Sequence, residues 1–410
     1  MLMTKTTMVS GAPRLLCMLF GLLTLPQAHA QIGPTPTIRI GVSGPFTGGS
    51  GSLGESMRNG IRLAVDEINS IGGINGQKFE LIERDDEAKV ELGAKIADDM
   101  VKQHVTAVIG IANTGVGLAS IDAYQQAHLP LMVAVSTGTA LTKKFAPPNA
   151  PENYIFRISP TLDLEARTLV AELKRRKLSK VALLADTTAY GDAGTKAFKA
   201  ESLAGGVGLA SEDRFKIGDT DMLAQIKRAM ATDAQALVVW GIGPELAVIA
   251  RNKETAGWKV PTLGSWVYSS RNFIDGAGKA GEGVMMPQTF IQELGSTSKN
   301  GFLLAYRRAF KTDLIASPMS AAQGYDGMHL LYRAIRQANS GDGSKIREAL
   351  ENLTSRYQGV ITSYAKPFSK VDHDAITQNM LWIGRVTNGR IDYANSEDQR
   401  KSALLRLKGE

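Results

Sequence analysis

The chain has 410 residues, 43% hydrophobic and 21% charged, a formal net charge of +7 and one cysteine. Its lysines and arginines are spread along the chain, Lys174–Lys177 being the densest run, so the charge does not describe a nucleic-acid surface. A single cysteine, Cys17, excludes a disulfide framework and a cysteine metal site, and the length allows two ordinary domains.

Residues 1–30 read as a secretory signal peptide. Lys5 and Arg14 make the basic start, Leu15–Pro26 is a 12-residue apolar core too short to span a membrane, and Ala28-His29-Ala30 is a small-x-small cleavage site. Cys17 lies inside this segment, so cleavage near Ala30 leaves a chain without thiols, exported to the periplasm.

From Thr37 short apolar runs alternate with amphipathic stretches. Strands are expected at 38–43, 79–83, 105–110 and 131–135, with helices at 54–70 and 89–103 between them. A second series follows. It begins after residues 154–159, with strands expected at 180–185, 209–215, 236–240 and 260–263, and helices at 162–176, 193–204 and from Asp219 or Thr220 to Met230; Pro244 opens one more. Residues 283–286 form an apolar run at an expected crossing point. Two long helices, 299–310 and 321–339, then follow without a strand between them, before a helix at 345–353, a late strand at 380–386 and the turn Asn388-Gly389. This is an α/β chain of two Rossmann-like series with parallel-type sheets, which implies two lobes and a cleft.

The chemistry concentrates between Val105 and Thr142. Two buried parallel strands each end in small hydroxyl and amide residues: Ala112, Asn113 and Thr114 after the first, Ser136 and Thr137 after the second. Ligands bind at the carboxyl ends of strands in such sheets, and a helix N-terminus there favours an anion such as a carboxylate. No acid, base or nucleophile set accompanies these turns. No GxSxG elbow is present, GVSGPFTGGSGSLG does not fit a dinucleotide loop, and histidines 29, 104, 128, 329 and 373 have no ligand spacing. Asp85 and Asp86 are expected to be solvated loop or cap residues. The pattern points to binding rather than catalysis, with no cofactor and no metal.

Several phrases, in order, carry a resemblance: GVSGPFTGG with NGIRLAVDEIN and GGINGQK, then ERDD, the 105–142 block, FRISPTLDLEA, AYGDAG, GVMMPQTF, GYDGMHLLYRAI and KPFSKVDHDA. They are similar to the solute-binding proteins of branched-chain amino acid ABC importers, of the leucine/isoleucine/valine type. The resemblance implies a type I periplasmic-binding-protein fold with three crossovers and hinges near Arg157, Pro287 and Asp372. Lobe 1 would combine 37–157 with 288–371, and lobe 2 would combine 158–287 with 372–395, leaving 396–410 as a charged tail.

The same resemblance implies a monomer that closes over a small carboxylate-bearing solute and docks on an ABC permease. Ala112, Asn113, Thr114, Ser136 and Thr137 would hold the carboxylate, Tyr190 and Trp240 would face it from the second lobe, and Leu53 stands where an aromatic wall residue is common. Related proteins place an acid where this chain has Trp266, and that acid pairs with the ligand ammonium. With Trp240, Trp266 and Tyr268 on that side, an apolar or aromatic acid without an amine competes with a branched-chain amino acid as the expected ligand; Glu245 is a nearby acid that could substitute. A sensor signalling to a membrane partner is the alternative function, and an enzyme on a similar fold fits less well.

Overall fold

The computed structural model describes residues 2–3, 7–12, 37–404 and 406–408. Most of the expected signal peptide lies outside the described residues. Residues 1–35 form one compact unit, whose described residues carry no regular secondary structure, and 36–410 form the other.

The second unit opens with β1 (Ile38–Gly44), α1 (Gly51–Ser70), β2 (Phe79–Asp85), α2 (Val90–Lys102), β3 (Ala107–Gly110), α3 (Thr114–Gln126), β4 (Leu131–Val133), α4 (Ala140–Lys143) and β5 (Ile155–Arg157). These strands form a fully parallel sheet in the order β2-β1-β3-β4-β5. All four residues of β3 are buried, as a strand covered on both faces requires. The chain order reverses between β1 and β3, so the loops after these two strands flank the topological switch point.

Next come α5 (Leu162–Arg175), β6 (Lys180–Asp186), α6 (Ala189–Gly205), β7 (Gly208–Phe215), α7 (Leu223–Met230), β8 (Ala236–Trp240), α8 (Glu245–Thr255), β9 (Thr262–Gly264), α9 (Arg271–Ala277) and β10 (Met285–Gln288). The chain continues through α10 (Thr297–Phe310), α11 (Pro318–Ala338), α12 (Gly343–Glu351), the short hairpin β11 (Tyr357–Gln358) and β12 (Ser363–Tyr364), then β13 (Trp382–Thr387), β14 (Arg390–Tyr393) and α13 (Ser396–Ser402). The second sheet runs β14-β13-β10-β9-β8-β6-β7. It is parallel from β7 to β10, and β13 and β14 add antiparallel. Its switch point lies between β6 and β8. The molecule is therefore a two-lobed α/β structure with one parallel and one mixed sheet.

After β10 the chain returns to the first sheet. α11 lies so close on α1 that a Cβ on Gly60 would stand 2.0 Å from the Ala321 carbonyl oxygen. Close to the first crossover, Arg157 is fully buried and bonds Asp374 Oδ1 through Nε and Nη2 at 2.9 and 2.6 Å. The backbone reinforces this junction, since Arg157 N–H donates to the His373 carbonyl and Ala375 N–H donates to the Arg157 carbonyl, both at 2.9 Å.

Asp85 and Asp86 are not solvated alike. Asp85 accepts from the Phe46 amide and the Thr47 hydroxyl and so pins the loop after β1, while Asp86 is buried beneath it and takes the Ala88 amide. Burial pushes the Asp86 carboxyl up to about 6.

Candidate functional site

The first-lobe wall is built from three strand-to-helix loops. Gly110 ends β3 where a Cβ would stand 2.0 Å from the Ser43 carbonyl oxygen, and Ile111 follows at φ 65°. A β-branched residue in the left-handed region costs on the order of 1–3 kcal/mol. Hydrogen bonds hold it there: Ile111 N–H donates to Ser43 at 2.8 Å, and its carbonyl accepts from Ser136 at 2.9 Å. The bend sends Ala112 and Asn113 toward the switch point and starts α3 at Thr114.

The loops then lock together. Thr114 Oγ1 and Ser136 Oγ share a hydrogen bond of 3.0 Å, and Asn113 Nδ2 donates to Ser50 Oγ of the loop after β1 at 3.2 Å. Gly138 lets the second turn approach, because a Cβ there would meet Thr114 Cγ2 at 2.6 Å. Asn113 occupies the N-cap position of α3 without capping it through its side chain. The first amides of α3 are thus left without a side-chain cap beside the Thr114–Ser136 pair, an arrangement suited to a carboxylate.

Across from this wall stand residues that follow the carboxyl ends of β6 and β9. Thr188 caps α6 by accepting from the Tyr190 and Gly191 amides, which fixes Tyr190 in the first turn. Trp266 begins a short 3-10 turn after β9, and its carbonyl is held by Ser269 Oγ at 2.9 Å and Gln288 Nε2 at 3.1 Å. Tyr190 and Trp266 are both buried.

The lobes are in contact. A Cβ on Gly115 at the start of α3 would lie 3.7 Å from Ala189 Cβ at the start of α6. Asn272 Nδ2 donates to the Gly49 carbonyl at 3.2 Å, and Arg271 N–H donates to the Ala316 carbonyl at 2.8 Å.

Other expected residues sit differently. The Trp240 ring lies against Gly194, where a Cβ would come within 2.0 Å of it, and near Phe198, so it packs under α6 within the second lobe. Leu53 is buried in α1. Glu245 is buried with Oε1 on the Gly218 amide at 2.7 Å. Tyr268 packs edge-on against Phe273.

Sequence reasoning missed Glu165. It is completely buried in the first turns of α5, on the same stripe as Leu162, Ala166 and Leu169. An acid in phase with that apolar stripe was the available signal. Burial pushes its carboxyl up to about 8, opposed by the Thr137 hydroxyl, the Trp266 amide and the Arg157 charge. Burial likewise carries the Tyr190 phenol well above its usual range. Thr137 Oγ1, Glu165 Oε1, Tyr190 Oη and Asn113 Oδ1 are all buried without a hydrogen-bond partner. A cavity of about 410 Å³ lined by Arg271, Phe290, Leu314 and Arg390 contains none of these residues.

Comparison with known proteins identifies the family of the fold. Leu/Ile/Val-binding protein homolog 3 of Brucella melitensis is 26% identical over 351 residues, covering 83% of this chain and 92% of that protein. A periplasmic binding protein type 1 from Bordetella pertussis superposes with a TM-score of 0.79 at 27% identity, covering 87% of this chain and all of that one. LivJ from Streptococcus pneumoniae, a branched-chain amino acid transporter substrate-binding protein solved with isoleucine, gives 0.76 at 24% identity, covering 87% and 98%. The periplasmic binding protein family matches residues 37–390, and the chain belongs to that family of solute-binding proteins.

Proposed function

We propose that this protein is the extracytoplasmic receptor of an ABC importer. It captures a small carboxylate-bearing solute between two closing lobes and delivers it to a membrane permease, without catalysing a reaction. The observation that carries this reading is the meeting of Thr114, Ser136 and Thr137 at the uncapped start of α3, opposite Tyr190 and Trp266. Family membership and relatives described as Leu/Ile/Val-binding proteins support it. In this reading lobe 1 comprises 37–157 and 288–371, lobe 2 comprises 158–287 and 372–395, and the receptor is an exported monomer.

A thermal-shift panel of apolar amino acids, their deaminated counterparts and aromatic acids tests it, because a ligand bound to the folded state raises its stability with concentration. At least one carboxylate-bearing compound is expected to bind and to be recovered unchanged. Thr114→Ala should weaken that compound by ~1.5–3 kcal/mol, the usual value of a hydrogen bond to a charged group. Turnover of the ligand, or binding indifferent to Thr114→Ala, would contradict the reading.

A further inference from the structure

Glu165 meets Thr137 and Trp266 where the two lobes face each other. Its Oε2 accepts a long hydrogen bond from the Trp266 amide at 3.5 Å, and its Oε1 has no partner. Thr137 Oγ1 and Tyr190 Oη, also buried, have none either. The three groups influence one another: the Thr137 hydroxyl acts on both Glu165 and Tyr190, and the Glu165 charge acts on Tyr190. Three oxygens able to accept hydrogen bonds therefore surround one region.

Glu172 shows what an ordinary buried acid on this helix looks like. It is held by Arg175 and Arg176 at 2.7 and 2.6 Å. Glu165 forms no ion pair among the described residues. The cation that acts on it, Arg157, is committed to Asp374, Gly138 and Thr142. Glu245, the other buried acid with a free oxygen among the described residues, is tied to Gly218.

We propose that Glu165 is the counterion for a ligand ammonium, so that the solute is a zwitterionic α-amino acid. This rests on the receptor reading above. The carboxylate takes the Thr114–Ser136 wall, and the ammonium sits among Glu165, Thr137 and Tyr190. The two charged groups of an α-amino acid share one carbon, so the sites that receive them must adjoin, and Thr137 borders both. A primary ammonium has three N–H donors, which matches the three unpartnered oxygens. The acid expected at position 266 is thereby supplied from α5, resting on the backbone of Trp266 itself.

Protonation supports the assignment. With its carboxyl raised to about 8, Glu165 is mostly uncharged at pH 6–7 in the absence of a cation. Tyr190 stays neutral throughout this range, Asp186 acts on Tyr190 rather than on Glu165, and Arg157 opposes the burial of Glu165 without pairing with it. An entering ammonium requires ionised Glu165, so binding below pH 8 expels a proton. Affinity for an amino acid then rises with pH by up to about tenfold per unit and levels off above pH 8.

Calorimetry on the full mature protein tests this, with apolar L-amino acids and their deaminated acids as probes. Wild type should prefer the amino acids. Glu165→Gln should weaken them about thirty-fold or more, as loss of one partner of a buried charge pair does, and should flatten the pH dependence. Glu245→Gln should change neither. Equal binding of deaminated acids, retained affinity in Glu165→Gln, or loss in Glu245→Gln instead would overturn the assignment. If Glu165→Gln does not fold, a wild-type amino-acid affinity that is constant between pH 6 and 8 overturns it. If deaminated acids bind and amino acids do not, the ammonium assignment falls and the receptor reading stands; if neither class binds, both fall.

Discussion

Asp374→Ala should lower stability by about 3–5 kcal/mol, the cost of leaving a buried charge without its partner. Arg157 is fully buried and would keep only Gly138 O and Thr142 Oγ1. Lys143, 3.0 Å from Asp374 Oδ2, would keep only Asp372 Oδ1 at 3.3 Å. The junction joins the end of β5 to the chain returning at residues 373–375, so its loss loosens a crossover as well as an ion pair. Chemical denaturation at pH 7 measures the effect, and a loss under about 1 kcal/mol would mean that water already reaches the pair.

The pH dependence of this pair has a definite sign. Burial alone would raise the Asp374 carboxyl, but Arg157 and Lys143 outweigh it and hold the group down from 3.8 to about 2. A carboxyl lowered on folding contributes its stability above its unfolded value and loses it as pH falls toward the folded one. The gap between wild type and Asp374→Ala should therefore be full at pH 5–7 and shrink from about pH 4 down to pH 2.

Ala189→Trp should weaken ligand binding while leaving the ligand-free fold intact. Ala189 starts α6 on the second lobe and faces Gly115 of α3 across the rim, with room for little more than a methyl group between them. An indole there would be accommodated only by separating the lobes. Overpacking of this kind costs about 1–3 kcal/mol, which would be charged to closure and lowers affinity by about 5- to 150-fold. Since Ala189 is only partly buried, denaturation of the ligand-free protein should shift by about 0.5 kcal/mol or less. Unchanged affinity would show that binding does not need the rims to meet.

Much of the fold was legible because buried parallel strands announce themselves as short apolar runs. Ala107–Gly110 and Ala236–Trp240 are buried at every position, and both were expected as strands. The direction of β13 was not legible, since an apolar run reads alike in either sense and only its pairing with β10 makes it antiparallel. β14 and the β11–β12 hairpin were missed because each has no more than four residues and no sustained alternation. The first-lobe wall was visible as two hydroxyl-bearing turns, but the strained φ of Ile111 that aims the first one leaves no mark in composition. Glu165 was hidden for a different reason. An acid in an amphipathic helix reads as solvated, and only the packing against Thr137 and Trp266 shows it to be enclosed.

In the proposed receptor the first-lobe wall holds the ligand carboxylate. The most direct measurement is calorimetric titration of the tightest-binding acid of the panel beside its own primary amide, which keeps the shape and removes the charge. Loss of even one charge-assisted hydrogen bond corresponds to about tenfold in affinity, so the amide should bind at least that much more weakly. An amide that binds as tightly as the acid would contradict the account.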